Sequence, residues 1–384
     1  LDTPEEVILR RARTLEPSYA LKSVVSAGSA NGNGHSGSLR RFARRTAHTA
    51  VKLLLQPDPQ VLWLPHAIRE GRKLMREMSH DAILVSAPPF SSFFVGVALS
   101  RSSGLPLVLD YRDEWDLSNA YLENRRPDAF SRFVQRRLQM RAVRSAKAVV
   151  ATTQASADAL AAVCKTAHSK AYVQNIYNGY DPDDFPRRPL PAEENRDFFR
   201  LAYVGSLWNL TSVAPLVDAV VELAHRRPDL TKRLELVFAG RRTSDQEHIV
   251  ARLRTLPIRL VERSYVDHAQ VSDVLRSSDG LCLLLAGLPG AERVVPAKTF
   301  EYMAARRHIL AIAPRGELWD ILRDYPAKHL LEPGDQTGIA LALEELIEKR
   351  PPGPPHEASD WTGARYGRPH QARQLAELLN SLVD

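Results

Sequence analysis

Short runs rich in β-branched and apolar residues alternate with segments of helical apolar spacing along most of this chain, and the alternation stops once and then resumes. The first series contains "DAILVSA" (81–87), "LPLVLDYRD" (105–113), "AKAVVATT" (146–153) and "AYVQNIYNG" (171–179). Between them lie helical spacings such as Phe130, Phe133, Val134 and Leu138. The second series contains "FRLAYVGS" (199–206), "RLELVFAG" (233–240), "IRLVERSYV" (258–266), "DGLCLLLA" (279–286) and "HILAIAP" (308–314), with helical segments at 213–227 and 267–278. Strand and helix repeated in this way predict a parallel sheet covered on both faces, here built twice. The proline-rich, charged stretch "DPDDFPRRPLPAEEN" (181–195) has no periodicity and reads as a connector. A second break, "KRPPGPPHEASD" (349–360), precedes a terminal amphipathic helix. The predicted organisation is therefore a Rossmann-like α/β domain over 1–185, a linker over 186–197, a second such domain over 198–350, and a C-terminal tail and helix over 351–384. Ligands in doubly wound sheets sit beyond the carboxyl ends of the strands, so an interdomain cleft is the expected site.

The length of 384 residues suits two domains, each able to bury a full core, and 44% hydrophobic with 25% charged residues excludes global disorder. The 52 basic and 45 acidic residues leave a net charge of +7, which favours anionic partners without choosing among them. Cys164 and Cys282 are far apart and each is in an apolar setting, so a disulfide framework and a zinc site are both disfavoured and a reducing, cytoplasmic compartment is expected. The most apolar stretch, 82–99, is broken by two prolines and three serines, which argues against a membrane span. The chain begins "LDTPEEV", without an initiator methionine or a signal pattern, as a fragment or trimmed chain would.

The stretch "VPAKTFEYMAA" (295–305) concentrates chemistry at a turn-to-helix junction. Pro296 suits a first helical position, so a helix is predicted from about Ala297. Its free N–H groups, facing the loop "GAERVV" (290–295), would suit a phosphate, with Lys298 adding a full charge. Glu301, one turn on, could accept hydrogen bonds from two neighbouring hydroxyls, as on a ribose. The plainer alternative is a surface pair between Lys298 and Glu301 at three-residue spacing.

In consistent order, "YVGSL" (203–207), "LVFAG" (236–240), "VDHAQVSDVLRSSDGLCLLL" (266–285) and "PAKTFEYMAARRHILAIAP" (296–314) resemble the nucleotide-binding half of retaining GT-B glycosyltransferases of family 4. "IYNGYDPDDF" (176–185) is similar to that family's asparagine-glycine signature, and "SAPPFSSFFVG" (86–96) and "LVLDYRDEW" (107–115) resemble the acceptor half of its bacterial members. The resemblance implies two Rossmann-like domains, retention at the anomeric carbon, and catalysis without an essential metal or cofactor. That last point disfavours a metal reading of Asp181 and Asp183. It also implies that Glu301 holds the donor ribose. The first of the family's paired glutamates would fall eight positions earlier, at Arg293, with Glu292 adjacent. The arginine and lysine that many members carry after the glycine matching Gly205 are absent from "GSLWNLTS", so Lys298, Arg293 or the pair Arg241 and Arg242 would take over the diphosphate charge. The donor-side candidates are therefore Gly205, Ser206, Arg241, Arg293, Val295, Lys298 and Glu301. For the Arg241 and Arg242 pair, a solvated loop is the competing reading.

In the first half, "DYRDEW" ends a strand with several charges, and Arg112, Asp113 and, from the second half, Glu292 are the catalytic candidates. A simple Arg112–Asp113 ion pair tying the loop is the alternative. Pro89, Ser91 and Ser92 form a turn before a predicted helix, an acceptor-side candidate whose N–H groups could hold an anion. Neither motif contains a histidine. The glycine run 26–38 reads as a flexible connector, so the family's usual first strand and phosphate loop are not evident. The segment 39–55 places Phe42, Val51 and Leu54 on one helical face and Arg40, Arg41, Arg44 and Arg45 on the other, which suits anionic membrane as well as it suits a solvated basic face.

The expected activity is transfer of a hexose from a nucleotide-sugar to the hydroxyl of a glycan acceptor, lipid-linked or a cell-surface precursor in polysaccharide biosynthesis, at the inner face of the plasma membrane. The alternatives are a nucleotide-sugar epimerase on the same fold, or a non-catalytic basic protein binding membrane or RNA. The first shows no acid–base pair and the second no aromatic-basic RNA module, so no nucleic-acid partner is expected.

Overall fold

The computed structural model describes residues 7–14, 55–117, 128–185, 197–264, 266–351 and 363–383. The glycine run 26–38, nearly all of the segment 39–55, and the linker apart from Asp197 lie outside the described residues. The described residues fall into two compact units, the first within Leu1–Thr152, Ala157–Asn175 and Glu377–Asp384, the second within Thr153–Ser156 and Ile176–Ala376.

The first unit is a four-stranded parallel sheet in the order β1 (Ile83–Ala87), β2 (Leu107–Tyr111), β3 (Ala148–Ala151), β4 (Tyr172–Asn175). Helices α1 (Leu64–Glu77), α2 (Ser92–Ser103), α3 (Ala129–Ser145) and α4 (Gln154–Thr166) complete it. Among the described residues no strand precedes β1. β2 and β3 are buried almost throughout, as parallel strands covered by helices must be. Phe90 stacks on Trp115 at 4.4 Å between ring centroids and Phe93 packs on Tyr111 at 4.7 Å, an aromatic core at the carboxyl end of β2. Burying each such ring contributes roughly 2 kcal/mol against leaving it in water.

The helix expected around Phe130 and Phe133 forms, as α3, but the face it buries carries Ser131, Gln135 and Gln139 together with Ala142 and Val143, and not the two phenylalanines. Gln135 is buried, accepting from the Trp115 indole N–H and donating to the Pro57 carbonyl at 2.7 Å. Satisfying these groups fixes the rotation of α3 and leaves Phe130 and Phe133 exposed, at 56% and 55% of their full surface.

The second unit is a six-stranded parallel sheet in the order β10-β9-β8-β5-β6-β7. Its strands are β5 (Phe199–Val204), β6 (Leu234–Ala239), β7 (Arg259–Arg263), β8 (Gly280–Leu284), β9 (His308–Ile312) and β10 (Lys328–Leu331). From β5 the chain winds one way through β6 and β7, then returns to β8 and winds the other way. The reversal falls between β5 and β8, the switch point at which such sheets open a crevice at their carboxyl ends. Side-chain alternation along β5 sends Leu201 and Tyr203 toward one face, with α5 (Ala214–Arg226), α6 (Ser244–Ala251) and, from the end of the unit, the long helix Gln336–Lys349. Ala202 faces the other side, with α7 (His268–Arg276), α8 (Lys298–Ala304) and α9 (Glu317–Leu322). The helix Gln336–Lys349 is α10, and the expected C-terminal helix forms as α11 (Arg368–Val383).

Candidate functional site

The second unit gathers the donor-side candidates where β5 ends at the switch point. Gly205, immediately after β5, has φ +133°, and a Cβ there would meet Lys298 Nζ at 2.5 Å. Gly240, after the neighbouring β6, has φ +139°, and its Cβ would meet the Gly205 carbonyl oxygen at 2.2 Å. A side chain at either position is strained by its φ, and at Gly240 it would also run into the Gly205 backbone; the two strand ends approach closely, with the Gly205 N–H donating to the Ala239 carbonyl at 2.7 Å.

The loop beyond Gly205 is held from below. The carbonyl of Ser206 accepts from Tyr203 Oη at 2.8 Å and from Thr211 Oγ1 at 2.8 Å. Lys298 Nζ donates to the same Tyr203 hydroxyl at 2.7 Å and sits 3.9 Å from the Tyr203 ring centre. Lys298 is half-buried as a residue, yet its ammonium is enclosed. That burial pushes its pKa down to about 8, with Cys282 and Glu301 opposing the shift. Burial also pushes the Tyr203 hydroxyl up. The cation that the sequence places in an open first turn thus lies beneath the Gly205 loop, at the point where an anion's approach would favour its charged form.

α8 spans only Lys298–Ala304 and has no side-chain cap. The N–H groups of Thr299 and Phe300 are already bound by the carbonyls of Pro296 and Ala297, at 2.9 and 3.2 Å, so the helix start offers fewer free donors than the sequence suggests. Thr299, Phe300, Tyr302 and Met303 form its buried face, and Tyr302 Oη accepts from the Val204 N–H at 2.9 Å. Glu301 lies off that face, partly exposed, and acts on Lys298 electrostatically.

Val295 is buried in the core under α8. Glu292 is exposed and pairs with Arg293 at 3.4 Å, on a turn that Gly290 opens. Arg241 is exposed, while Arg242 is committed to Glu262 at 2.7 Å and Glu247 at 3.2 Å. The pair that sequence reads together thus divides, one cation anchoring the strand ends and the other facing solvent. Sequence reading passes over Tyr203 and over Tyr177, whose hydroxyl donates to Glu317 at 2.6 Å. Only spatial proximity links these residues, so no spacing in the chain would have flagged them.

In the first unit, Ser86 Oγ donates to Asp110 Oδ2 at 2.6 Å across β1 and β2. The Arg112 N–H donates to the Ala87 carbonyl at 2.9 Å, extending the same strand pairing. Asp113 presents an exposed edge, yet crowding around its carboxyl pushes its pKa up, and the Arg112 guanidinium opposes that shift. The turn at Pro89, Ser91 and Ser92, read in sequence as a place for an anion, has protein partners for part of its donor set. The Ser91 N–H is taken at 2.9 Å by the buried carboxylate of Asp58, so a negative group already fills the place. Ser92 Oγ is spent on the carbonyls of Ser86 and Pro89, at 3.0 and 2.6 Å, and Ser91 is wholly buried. The two serines therefore brace the turn, leaving Pro89 partly exposed beside it.

Among the described residues, no group of three or more His, Cys, Asp or Glu side chains is placed to hold a metal ion, and no helix is long and apolar enough to cross a membrane.

Residues 22–169 match the family described as Glycosyl transferase 4-like domain, and residues 199–349 match that described as Glycosyl transferases group 1. D-inositol 3-phosphate glycosyltransferase 1 of Catenulispora acidiphila is 28% identical over 184 residues, covering 46% of this chain and 43% of that protein. The chain thus matches less than half the length of that curated relative. Sucrose-phosphate synthase of Thermosynechococcus elongatus superimposes with a TM-score of 0.58 at 15% identity, covering 84% of this chain and 78% of its own. Anabaena HepE, solved in complex with UDP-glucose, gives 0.57 at 18% identity, covering 85% and 84%. The UDP-forming trehalose-phosphate synthase of Burkholderia vietnamiensis gives 0.60 at 14%, covering 85% and 78%. At such identities the likeness to the solved structures is one of fold. Two parallel-sheet α/β units, a glycosyl transferase 4-like match in the first part of the chain and a glycosyl transferases group 1 match in the second place this protein among the glycosyltransferases of the GT-B fold.

Proposed function

We propose that the chain transfers a hexose from a nucleotide-sugar to an acceptor hydroxyl with retention of anomeric configuration, and that the second unit binds the donor. The observation that carries this reading is the Gly205 loop at the switch point of the second sheet, backed by the enclosed ammonium of Lys298. A backbone stripped of side chains lets a diphosphate approach closely, and a cation beneath it offsets the charge of the departing nucleotide. Glu301 accepts the ribose hydroxyls in this reading. Arg293 and Arg241 are the remaining cations near the donor, and Glu292 contacts the sugar. HepE, which shares the fold, was solved with UDP-glucose, and this supports a nucleotide-sugar as donor class.

Catalysis on this account is positioning and charge stabilisation, with the departing diphosphate assisting deprotonation of the acceptor hydroxyl. Acceptor recognition falls to the first unit, where Asp113 and Arg112 form its charged strand end. A carboxyl with raised pKa there suits exchange of a proton with an acceptor. The test is to incubate the chain with nucleotide-sugars and a panel of glycan and lipid-linked acceptors, and to follow release of nucleotide and the anomeric proton of the product. An axial donor bond kept axial in the product supports the reading. Product of inverted configuration, or nucleotide-sugar bound and converted to its epimer without transfer, refutes it.

A further inference from the structure

We propose that the outward face of α3 is a docking surface for an anionic lipid bilayer. This rests on the first unit alone and does not depend on the transfer chemistry. Phe130 and Phe133 stand one turn apart on that face, each more than half exposed. Arg136, Arg137 and Arg141 are exposed along the same side, and Ala129–Ser145 contains no acidic residue. The Arg137 guanidinium lies 4.9 Å from the Phe133 ring centre, so the aromatic is covered by a cation instead of by core side chains. Rotation of the helix is not accidental, since Gln135 and Gln139 are buried on the opposite side and Gln135 is hydrogen-bonded there.

Two large apolar side chains kept in water beside a row of cations call for a partner that is anionic at its surface and apolar just beneath it. A bilayer with anionic headgroups has that layering, with aromatic rings entering at headgroup depth and arginines pairing with phosphates. The basic segment 39–55 of the same chain carries Arg40, Arg41, Arg44 and Arg45, so charge does not draw it to this face. A second copy docking through this face would oppose arginine to arginine in the same way. Nucleic acid would supply phosphates, but Arg137 already covers a face of the Phe133 ring that a base would need for stacking.

The experiment is flotation of the full chain with vesicles of phosphatidylcholine, with and without phosphatidylglycerol. Binding is expected only with phosphatidylglycerol and is expected to weaken in high salt. Phe130→Ser with Phe133→Ser should reduce it by about tenfold or more, as should Arg136→Glu with Arg137→Glu, while the thermal midpoint stays at the wild-type value. Four results would each overturn the proposal. These are wild-type flotation of both variants, loss of flotation only on reversing Arg40, Arg41, Arg44 and Arg45 to glutamate, absence of flotation, and a self-associated chain that Phe130→Ser disperses.

Discussion

At the scale of single residues, the candidate site depends on a glycine whose backbone strains any side chain and a lysine held where its charge is adjustable. Gly205→Ala puts a side chain at φ +133° and into Lys298 Nζ. It should cost about 1–3 kcal/mol in urea unfolding and weaken nucleotide binding with it. Lys298→Met keeps the stem and removes the ammonium. Tyr203 still donates to Ser206, so stability should change by no more than about 1 kcal/mol, while affinity for a nucleoside diphosphate falls about tenfold or more by calorimetry. The sign of its pH dependence follows from the lowered pKa. Above about 8 the free protein loses the ammonium that an anion needs, so affinity should decline as pH rises through that value and the Lys298→Met variant should lack that decline. Glu301→Ala, off the core face of α8, should leave the fold unchanged and weaken binding of nucleotide-sugar about tenfold. Unchanged affinity would remove Glu301 from the site.

At the scale of elements, the paired starts of β9 and β10 form a second titrating place, remote from the carboxyl strand ends. His308 Nε2 and His329 Nδ1 are 2.8 Å apart, and His329 lies 3.4 Å from Glu345. Burial, reinforced by His329, pushes His308 down to about 4, and Glu345 opposes this. A histidine held neutral when folded but protonated when unfolded leaves stability undisturbed above pH 6.5 and erodes it as pH falls toward 4. The loss should be of the order of 2 kcal/mol in urea titrations across that window, and His308→Phe should flatten it. The elements also show what could be read in advance. β1 to β9 fall inside the runs picked out by apolar and β-branched content, the central strands because burial in a parallel sheet leaves that signature and edge strands such as β4 and β7 through their β-branched residues. β10, "KHLL", does not: like the edge strands β4 and β7 it is only partly buried, but unlike them it has no β-branched residue to make it stand out. α3 was legible as a helix but its orientation was not. The apolar spacing of Phe130 and Phe133 suggests an inward face, and the hydrogen bonds of Gln135 decide otherwise.

At the scale of the whole molecule, the sheet order of the second unit turns a set of strands into a site. Motif order along the chain carried the fold and the elements on which Gly205, Lys298 and Glu301 sit, because each lies just after a strand or near the start of a helix. The contacts that give these residues their character were hidden. Lys298 reaches Tyr203 across 95 positions of sequence, and Asp58 reaches the turn at Ser91 across 33. The central claim, that the second unit binds a nucleotide-sugar through the Gly205 loop, is met most directly by thermal unfolding of the chain with UDP, GDP, ADP, CMP and dTDP and their sugar conjugates. One nucleotide family should stabilise the wild type, by about 2.7 kcal/mol at a hundred times its dissociation constant, and should fail to stabilise Gly205→Ala to that extent. No stabilisation of a folded wild-type chain by any of them, or equal stabilisation of both proteins, would contradict it.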